Sequence, residues 1–180
     1  MTEPAARWIR ELLLRDLEAT RRLAGRLAGV LEAGDVLVLT GELGAGKTTF
    51  TQSLGEALGV EGRISSPTFV LARTHRSTVQ GPDLVHVDAY RTDAEGLESL
   101  DLLSIASHSV TVAEWGRGLV EAVLAGEEGS WLDLELRHSG LSAGPGIVRD
   151  FSETEEDLLG APRRAVLRGY GARWAEPPVL

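Results

Sequence analysis

Gly41-Glu42-Leu43-Gly44-Ala45-Gly46-Lys47-Thr48 satisfies the pattern G-x-x-x-x-G-K-[ST], with an apolar run, Val36 to Thr40, before it and helical spacing after it. The residue types explain the chemistry. Glycines let the backbone wind tightly enough for successive N–H groups to face phosphate oxygens, and the helix that follows aims its positive end at the same point. Lys47 adds a slender point charge for β- and γ-phosphates, and the Thr48 hydroxyl is suited to Mg²⁺. Glu42, Leu43, Gly44, Ala45, Gly46 and Thr49 complete the expected cradle. Of 18 basic residues a single one is Lys, and it falls here, where the rigid fork of Arg would not substitute.

The same glycines do not supply G-x-G-x-x-G, because Gly44-Ala45-Gly46 is followed by Lys47-Thr48-Thr49, so a dinucleotide-binding reading fails. Guanine recognition through Asn-Lys-x-Asp fails as well, since the chain has no Asn and its one Lys is already placed. ATP is therefore the expected nucleotide. A P-loop nucleotidase also needs acids to hold Mg²⁺ and orient water. Two apolar runs end in one: Leu84-Val85-His86-Val87-Asp88 and Val110-Thr111-Val112-Ala113-Glu114. Asp88 and Glu114 are thus the candidates, and the metal-ligating and water-positioning roles stay open between them. Ser65-Ser66-Pro67-Thr68-Phe69 lies where switch segments of nucleotidases sit, although on pattern alone it also reads as a plain turn. Trp115 belongs either beside the nucleotide or in the core. Arg91 and Arg117 are near enough in sequence to the acids to stabilise charge on a transferred phosphoryl group. The four histidines lack metal-ligand spacing and read as strand or loop residues, with His86 the one nearest the chemistry.

Several elements must position these groups. Leu23, Ala24, Leu27, Ala28 and Leu31 predict a helix that starts at Asp16 or Thr20 and stops at Gly34. Pattern alone leaves Trp8 to Leu14 as either an extension of that helix or a short strand. Val36 to Thr40 reads as a strand covered on both faces, and Thr48 to Leu58 as a helix with Phe50, Leu54 and Leu58 on one stripe. Phe69 to Arg73 and Leu84 to Asp88 predict a hairpin joined through Gln80-Gly81-Pro82-Asp83. Asp93 to Ser107 reads as a helix interrupted near Gly96 and Asp101, and a further helix falls at Leu119 to Leu124. Trp131 to Arg137 alternates apolar and polar, Arg164 to Arg168 repeats that pattern, and residues 139–162 between them read as a surface-loop insertion rich in Gly, Ser and acids.

A chain of 180 residues predicts a single domain spanning 1–180, against about 100 to 200 residues per domain. Its 18 basic and 27 acidic residues leave a net charge of −9, the wrong sign for a surface that grips nucleic acid or anionic lipid by itself. Contact with a polyanion would be local or mediated by a partner. Zero cysteines exclude disulfide scaffolds, Cys-ligated zinc and thiol catalysis. With no basic leader and no apolar run of about 18 residues, a cytosolic protein without membrane contact is expected.

Taken together, the P-loop with Thr49-Phe50, Ser66-Pro67-Thr68-Phe69, His86-Val87-Asp88-Ala89-Tyr90-Arg91 and Val112-Ala113-Glu114-Trp115 resemble the signature of the TsaE family, formerly called YjeE, over about residues 16 to 126. The resemblance implies an α/β, P-loop NTPase-like three-layer domain with a mixed sheet, and it favours Trp8 to Leu14 as a strand. It implies a bacterial, cytosolic protein that binds and slowly hydrolyses ATP while docked on the TsaB–TsaD heterodimer, in the formation of N6-threonylcarbamoyladenosine on tRNA, which it would meet only through that complex. Carried over by position, Lys47 and Thr48 would hold phosphate and Mg²⁺, Thr68 would belong to switch I, Asp88 would be the Walker B-like acid, Glu114 a second acid near Mg²⁺, and Trp115 a neighbour of the nucleotide. The alternative is a small-molecule P-loop kinase. Against it, the stretch after Glu114 offers little beyond Arg117 to clamp a phosphate donor.

Overall fold

A computed structural model of the chain describes residues 4–67, 71–90, 92–99, 102–125, 129–139 and 161–180. Seven strands form one mixed sheet: β1 (Trp8–Leu14), β2 (Val36–Thr40), β3 (Ala72–His75), β4 (Asp83–Asp88), β5 (Ser109–Glu114), β6 (Trp131–His138) and β7 (Arg163–Tyr170). Their order across the sheet is β1-β7-β6-β2-β5-β4-β3. The centre, β6-β2-β5-β4, is parallel, and β3, β7 and β1 add antiparallel pairings at the two sides.

Among the described residues, helices cover the two faces: α1 (Leu17–Ala28) and α2 (Lys47–Leu58) on one, α3 (Ala94–Ser99), α4 (Leu102–Ala106) and α5 (Val120–Leu124) on the other. The alternation of β2 divides the core accordingly. Leu37 and Leu39 face Leu27 of α1 and Phe50 and Leu54 of α2, whereas Val36 and Val38 join Leu97, Leu102 and Val120 beneath the shorter helices. The fold is α/β with three layers, as expected.

Some boundaries and one burial pattern differ from the sequence reading. Asp16 caps α1 by accepting from the Ala19 N–H at 2.7 Å, but the helix ends at Gly29 rather than Gly34. Leu31 keeps the apolar spacing because its N–H still donates to the Leu27 carbonyl at 2.9 Å, and Asp35 then closes a tight turn by accepting from the Glu32 N–H at 2.8 Å. The first hairpin strand runs Ala72–His75 rather than ending at Arg73, since Leu71 has φ 63°, outside the extended region. Trp131–His138 alternates in sequence, yet polar Asp133 is only 2% exposed, because β6 is flanked on both sides and its charge is paired internally.

Trp8–Leu14 is a strand, with Trp8, Arg10 and Leu12 turned inward. The two ends of the insertion meet, Ser139 N–H donating to the Pro162 carbonyl at 3.1 Å. The loop expected between them, like Thr68, Phe69 and Arg91, lies outside the described residues.

Candidate nucleotide-binding site

β2 delivers the chain to Gly41 at the carboxyl end of the parallel strands, where crevices of open α/β sheets form. Gly41 has φ 142°, and a Cβ there would stand 2.2 Å from the Leu136 carbonyl oxygen of β6. No other residue fits against that strand. Gly46, at φ 101°, is the N-cap of α2, so the first N–H groups of this helix lie at the bottom of the loop without intrahelical acceptors.

The Lys47 side chain folds back over the loop. Its Nζ donates to the carbonyls of Gly41 at 2.8 Å and Glu42 at 2.9 Å, and it sits 3.9 Å from the centre of the Trp115 ring. Burial pushes the ammonium below its ordinary pKa, an effect that the nearby Glu114 and Asp88 carboxylates oppose. The lysine is thus desolvated and parked on its own loop.

The two acids converge because β4 and β5 are parallel and in register, with Asp88 directly opposite Glu114 and Leu39 of β2 on the other side of Glu114. Both carboxylates are buried. The Lys47 ammonium interacts with both. Glu114 accepts from the Thr48 hydroxyl at 3.0 and 3.2 Å, joining the acid of β5 to the first turn of α2. Asp88 accepts from the Tyr90 N–H at 3.0 Å and from the Ser66 hydroxyl at 3.3 Å.

His86 is the histidine that the sequence placed nearest the chemistry, without a role. It lies two positions before Asp88, so it shares that residue's face of β4, and it is diagonal to Glu114 across the pair. Its Nε2 donates to Glu114 Oε1 at 2.8 Å, and the ring is fully buried. Nδ1 on the other side of the ring is buried without a hydrogen-bond partner among the described residues. The period-two spacing of His86 and Asp88 was the available signal.

Trp115 follows β5 in the left-handed region, φ 62°, where bulky residues are rarely found. Its N–H donates to the Leu39 carbonyl at 3.1 Å, which turns the chain and brings the indole over Lys47 rather than into the core. Tyr90 packs against it, ring centres 5.4 Å apart and tilted by 60°.

These groups enclose a cavity of about 490 Å³, lined by Leu43, Gly44, Gly46, Lys47, Thr48 and Thr49 from the loop and helix, and by Ser66, Asp88, Tyr90, Glu114 and Trp115 from the facing side. Ala45 and Glu42 contribute differently from the rest of the loop. The Ala45 side chain is in the core, and Glu42 meets Lys47 through its carbonyl. Arg117 is directed elsewhere: it is paired with Asp133 and donates to the Thr40 hydroxyl at 3.0 Å, which removes it as a phosphate clamp. The cavity walls thus combine a cation, a helix N-terminus, and hard oxygen donors from a hydroxyl and two carboxylates, a set suited to phosphate with Mg²⁺.

A family model described as "Threonylcarbamoyl adenosine biosynthesis protein TsaE" matches residues 14–142. The chain is 45% identical over 161 residues to the tRNA threonylcarbamoyladenosine biosynthesis protein TsaE of Streptomyces coelicolor, covering 88% of this chain and 96% of that protein. It is 36% identical to the protein of the same name from Bacillus subtilis, covering 68% of this chain and 74% of that one. Among solved structures it is similar to Bacillus subtilis YdiB, with TM-score 0.65, 26% identity, and coverage of 93% of this chain and 89% of that one. With the loop, the paired acids and the following Trp in one cavity and the match running from the end of β1 through β6, the chain belongs to the TsaE family of threonylcarbamoyladenosine biosynthesis proteins.

Proposed function

We propose that this protein is a cytosolic ATP-binding, slowly ATP-hydrolysing accessory factor for tRNA N6-threonylcarbamoyladenosine formation, acting on a TsaB–TsaD heterodimer. The observation that carries the reading is the contact between Thr48 Oγ1 and the Glu114 carboxylate at 3.0 Å, directly beside Lys47 and the α2 N-terminus. That is where a P-loop enzyme holds its metal.

On this reading Thr48 and Glu114 would hold Mg²⁺, which would supply positive charge to offset that of the phosphates. His86 fixes the Glu114 carboxylate through its hydrogen bond at 2.8 Å, leaving little rotational freedom to that acid. Lys47 exchanges its carbonyl acceptors for β- and γ-phosphate oxygens, relieving the desolvation it carries without ligand. Asp88 lies across the register pair from Glu114, restrained by Tyr90 and Ser66, and serves the water side of the γ-phosphate. Trp115 and Tyr90 shelter the cavity mouth. A net charge of −9 fits a factor that leaves tRNA to its partner. Among the described residues no helix is long and apolar enough to cross a membrane.

The test is threonylcarbamoyladenosine formation on tRNA under multiple turnover, with TsaB, TsaD and the enzyme that makes threonylcarbamoyl-adenylate. Wild type, Lys47→Ala and no added protein are compared. Sustained turnover with wild type alone supports the reading. Identical behaviour of all three mixtures overturns it and directs attention to phosphoryl transfer onto small metabolites.

A further inference from the structure

Behind the P-loop, on the side away from the cavity, stands a second buried cation. Arg163 is the first residue of β7, pairs with Leu14 of β1 and His138 of β6, and is 6% exposed. Its Nη1 donates to the Ala161 and Pro162 carbonyls at 2.8 and 3.3 Å, which fixes the guanidinium at the start of its own strand. Its Nε donates at 3.2 Å to the carbonyl of Ala45, 118 positions earlier, inside the phosphate-binding loop. Burial lowers its pKa, yet an arginine remains charged at physiological pH.

Peptide geometry gives this contact a consequence on the other face of the loop. The peptide bond between Ala45 and Gly46 is planar and trans, so the Ala45 carbonyl and the Gly46 N–H point in opposite directions. With the carbonyl held toward Arg163, the Gly46 N–H is turned toward the cavity that Gly46 lines. Glycine at position 46 leaves this peptide unit unusually free to flip, and a flip would present a carbonyl oxygen to the phosphates instead of a donor. A charge-assisted hydrogen bond from behind resists that.

We infer that Arg163 is a positioning residue for the phosphate-binding loop: by holding the Ala45 carbonyl it keeps the Gly46 N–H aimed at the nucleotide phosphates. The inference rests on the proposal that the cavity binds a nucleoside di- or triphosphate. It also assigns a role to β7, which lies beyond the residues 14–142 that the family model matches.

The test uses the full-length chain, ADP with Mg²⁺ as the probe, and three proteins: wild type, Arg163→Lys and Arg163→Met. Affinity is read by calorimetry, folding by thermal unfolding without nucleotide, and loop geometry by the amide signal of Gly46 in glycine-labelled protein. Arg163→Met is expected to bind ADP about tenfold more weakly, the scale of one charge-assisted hydrogen bond. Its Gly46 amide should lose most of the ADP-induced shift seen in wild type, and Arg163→Lys should recover part of both. If Arg163→Met, or Arg163→Ala should the Met variant not fold, shows wild-type affinity with a wild-type Gly46 shift, the inference is overturned. Wild type that binds no ADP would overturn the nucleotide reading together with this one, whereas tight wild-type binding with unchanged variants overturns this one alone.

Discussion

The two halves of the sheet bury charge in opposite ways. In β2, β5 and β4, all parallel, Asp88 and Glu114 stand opposite each other at strand ends beside a lysine bonded only to carbonyls of its own loop among the contacts described, and the chain turns sharply through a left-handed Trp115. In β6 and β7 the buried Asp133 accepts from Arg168 at 2.8 Å and is also paired with Arg117. Glu135 there accepts from Arg168 at 2.8 Å and from Arg137 at 2.6 Å. Burial pushes the Glu135 carboxyl up, but hydrogen bonds from Arg137 and Arg168 outweigh it and hold it below the usual carboxylate value. One half is balanced within itself and acts as scaffold. The other sets two carboxylates opposite each other beside a lysine at the rim of a cavity, which is the arrangement of a candidate functional site.

Substitutions should separate the two halves. The largest effect is expected from Lys47→Ala, which removes the cation aimed at the phosphates and should weaken ADP binding by at least about a hundredfold in a titration. Retained affinity would place the phosphates elsewhere. Next comes Glu114→Gln, which keeps acceptors for Thr48 and His86 but discards the charge. Turnover should fall about a hundredfold while ADP still binds, and an unaltered steady-state rate would remove Glu114 from the chemistry. In the scaffold half, Arg168→Met takes a shared partner from Asp133 and Glu135. Unfolding in urea should show a loss of about 2 kcal/mol, with ADP affinity unchanged. A change in affinity without a change in stability would erase the distinction between the halves.

The smallest effect concerns pH. The pKa of Lys47 in the folded chain is lowered below the ordinary lysine value of 10.5, foremost by burial. Between the lowered value and 10.5 the unfolded chain therefore binds more protons than the folded one, and this group's contribution to stability rises with pH across that window. Below it the full penalty of the buried ion remains. Without nucleotide, the urea midpoint of wild type should gain on that of Lys47→Met as pH approaches 10.5, and a constant difference would argue against a desolvated lysine.

The parallel strands and the loop were legible because they are buried on both faces, so β2 and β5 read as unbroken apolar runs with the chemistry at their ends. The amphipathic segments were harder. Trp8 to Leu14 is an edge strand whose outer face carries Ile9, Glu11 and Leu13, and seven such residues fit a helix or a strand until the partner β7 is known. The end of α1 was misplaced because Gly29 and Gly34 are both competent stops, and a tertiary hydrogen bond from the Gly34 N–H to the Ser109 carbonyl at 2.9 Å assigns Gly34 to a later turn. In the site, Lys47, Thr48, Asp88, Glu114 and Trp115 share one cavity, and for Trp115 this decides between the two placements that pattern left open. The parts that sequence did not reveal, His86 on Glu114 and Arg163 on Ala45, depend on which strands are neighbours, and no local window contains that.

The placement of β1 has a further implication for synthesis. It precedes the other described strands in the chain, yet its neighbour in the sheet among the described residues is β7, about 150 residues later, with Trp8 Nε1 donating to the Trp174 carbonyl at 2.8 Å and Arg10 to the Pro178 carbonyl at 3.0 Å. During translation this segment stays an orphan with two unpaired edges, its inward side chains Trp8, Leu12 and Leu14 uncovered until β7 emerges. Docking it then closes a loop of about 150 residues, a non-local step of the kind that slows folding. Nascent chains arrested before Tyr170 would be the species most in need of a chaperone.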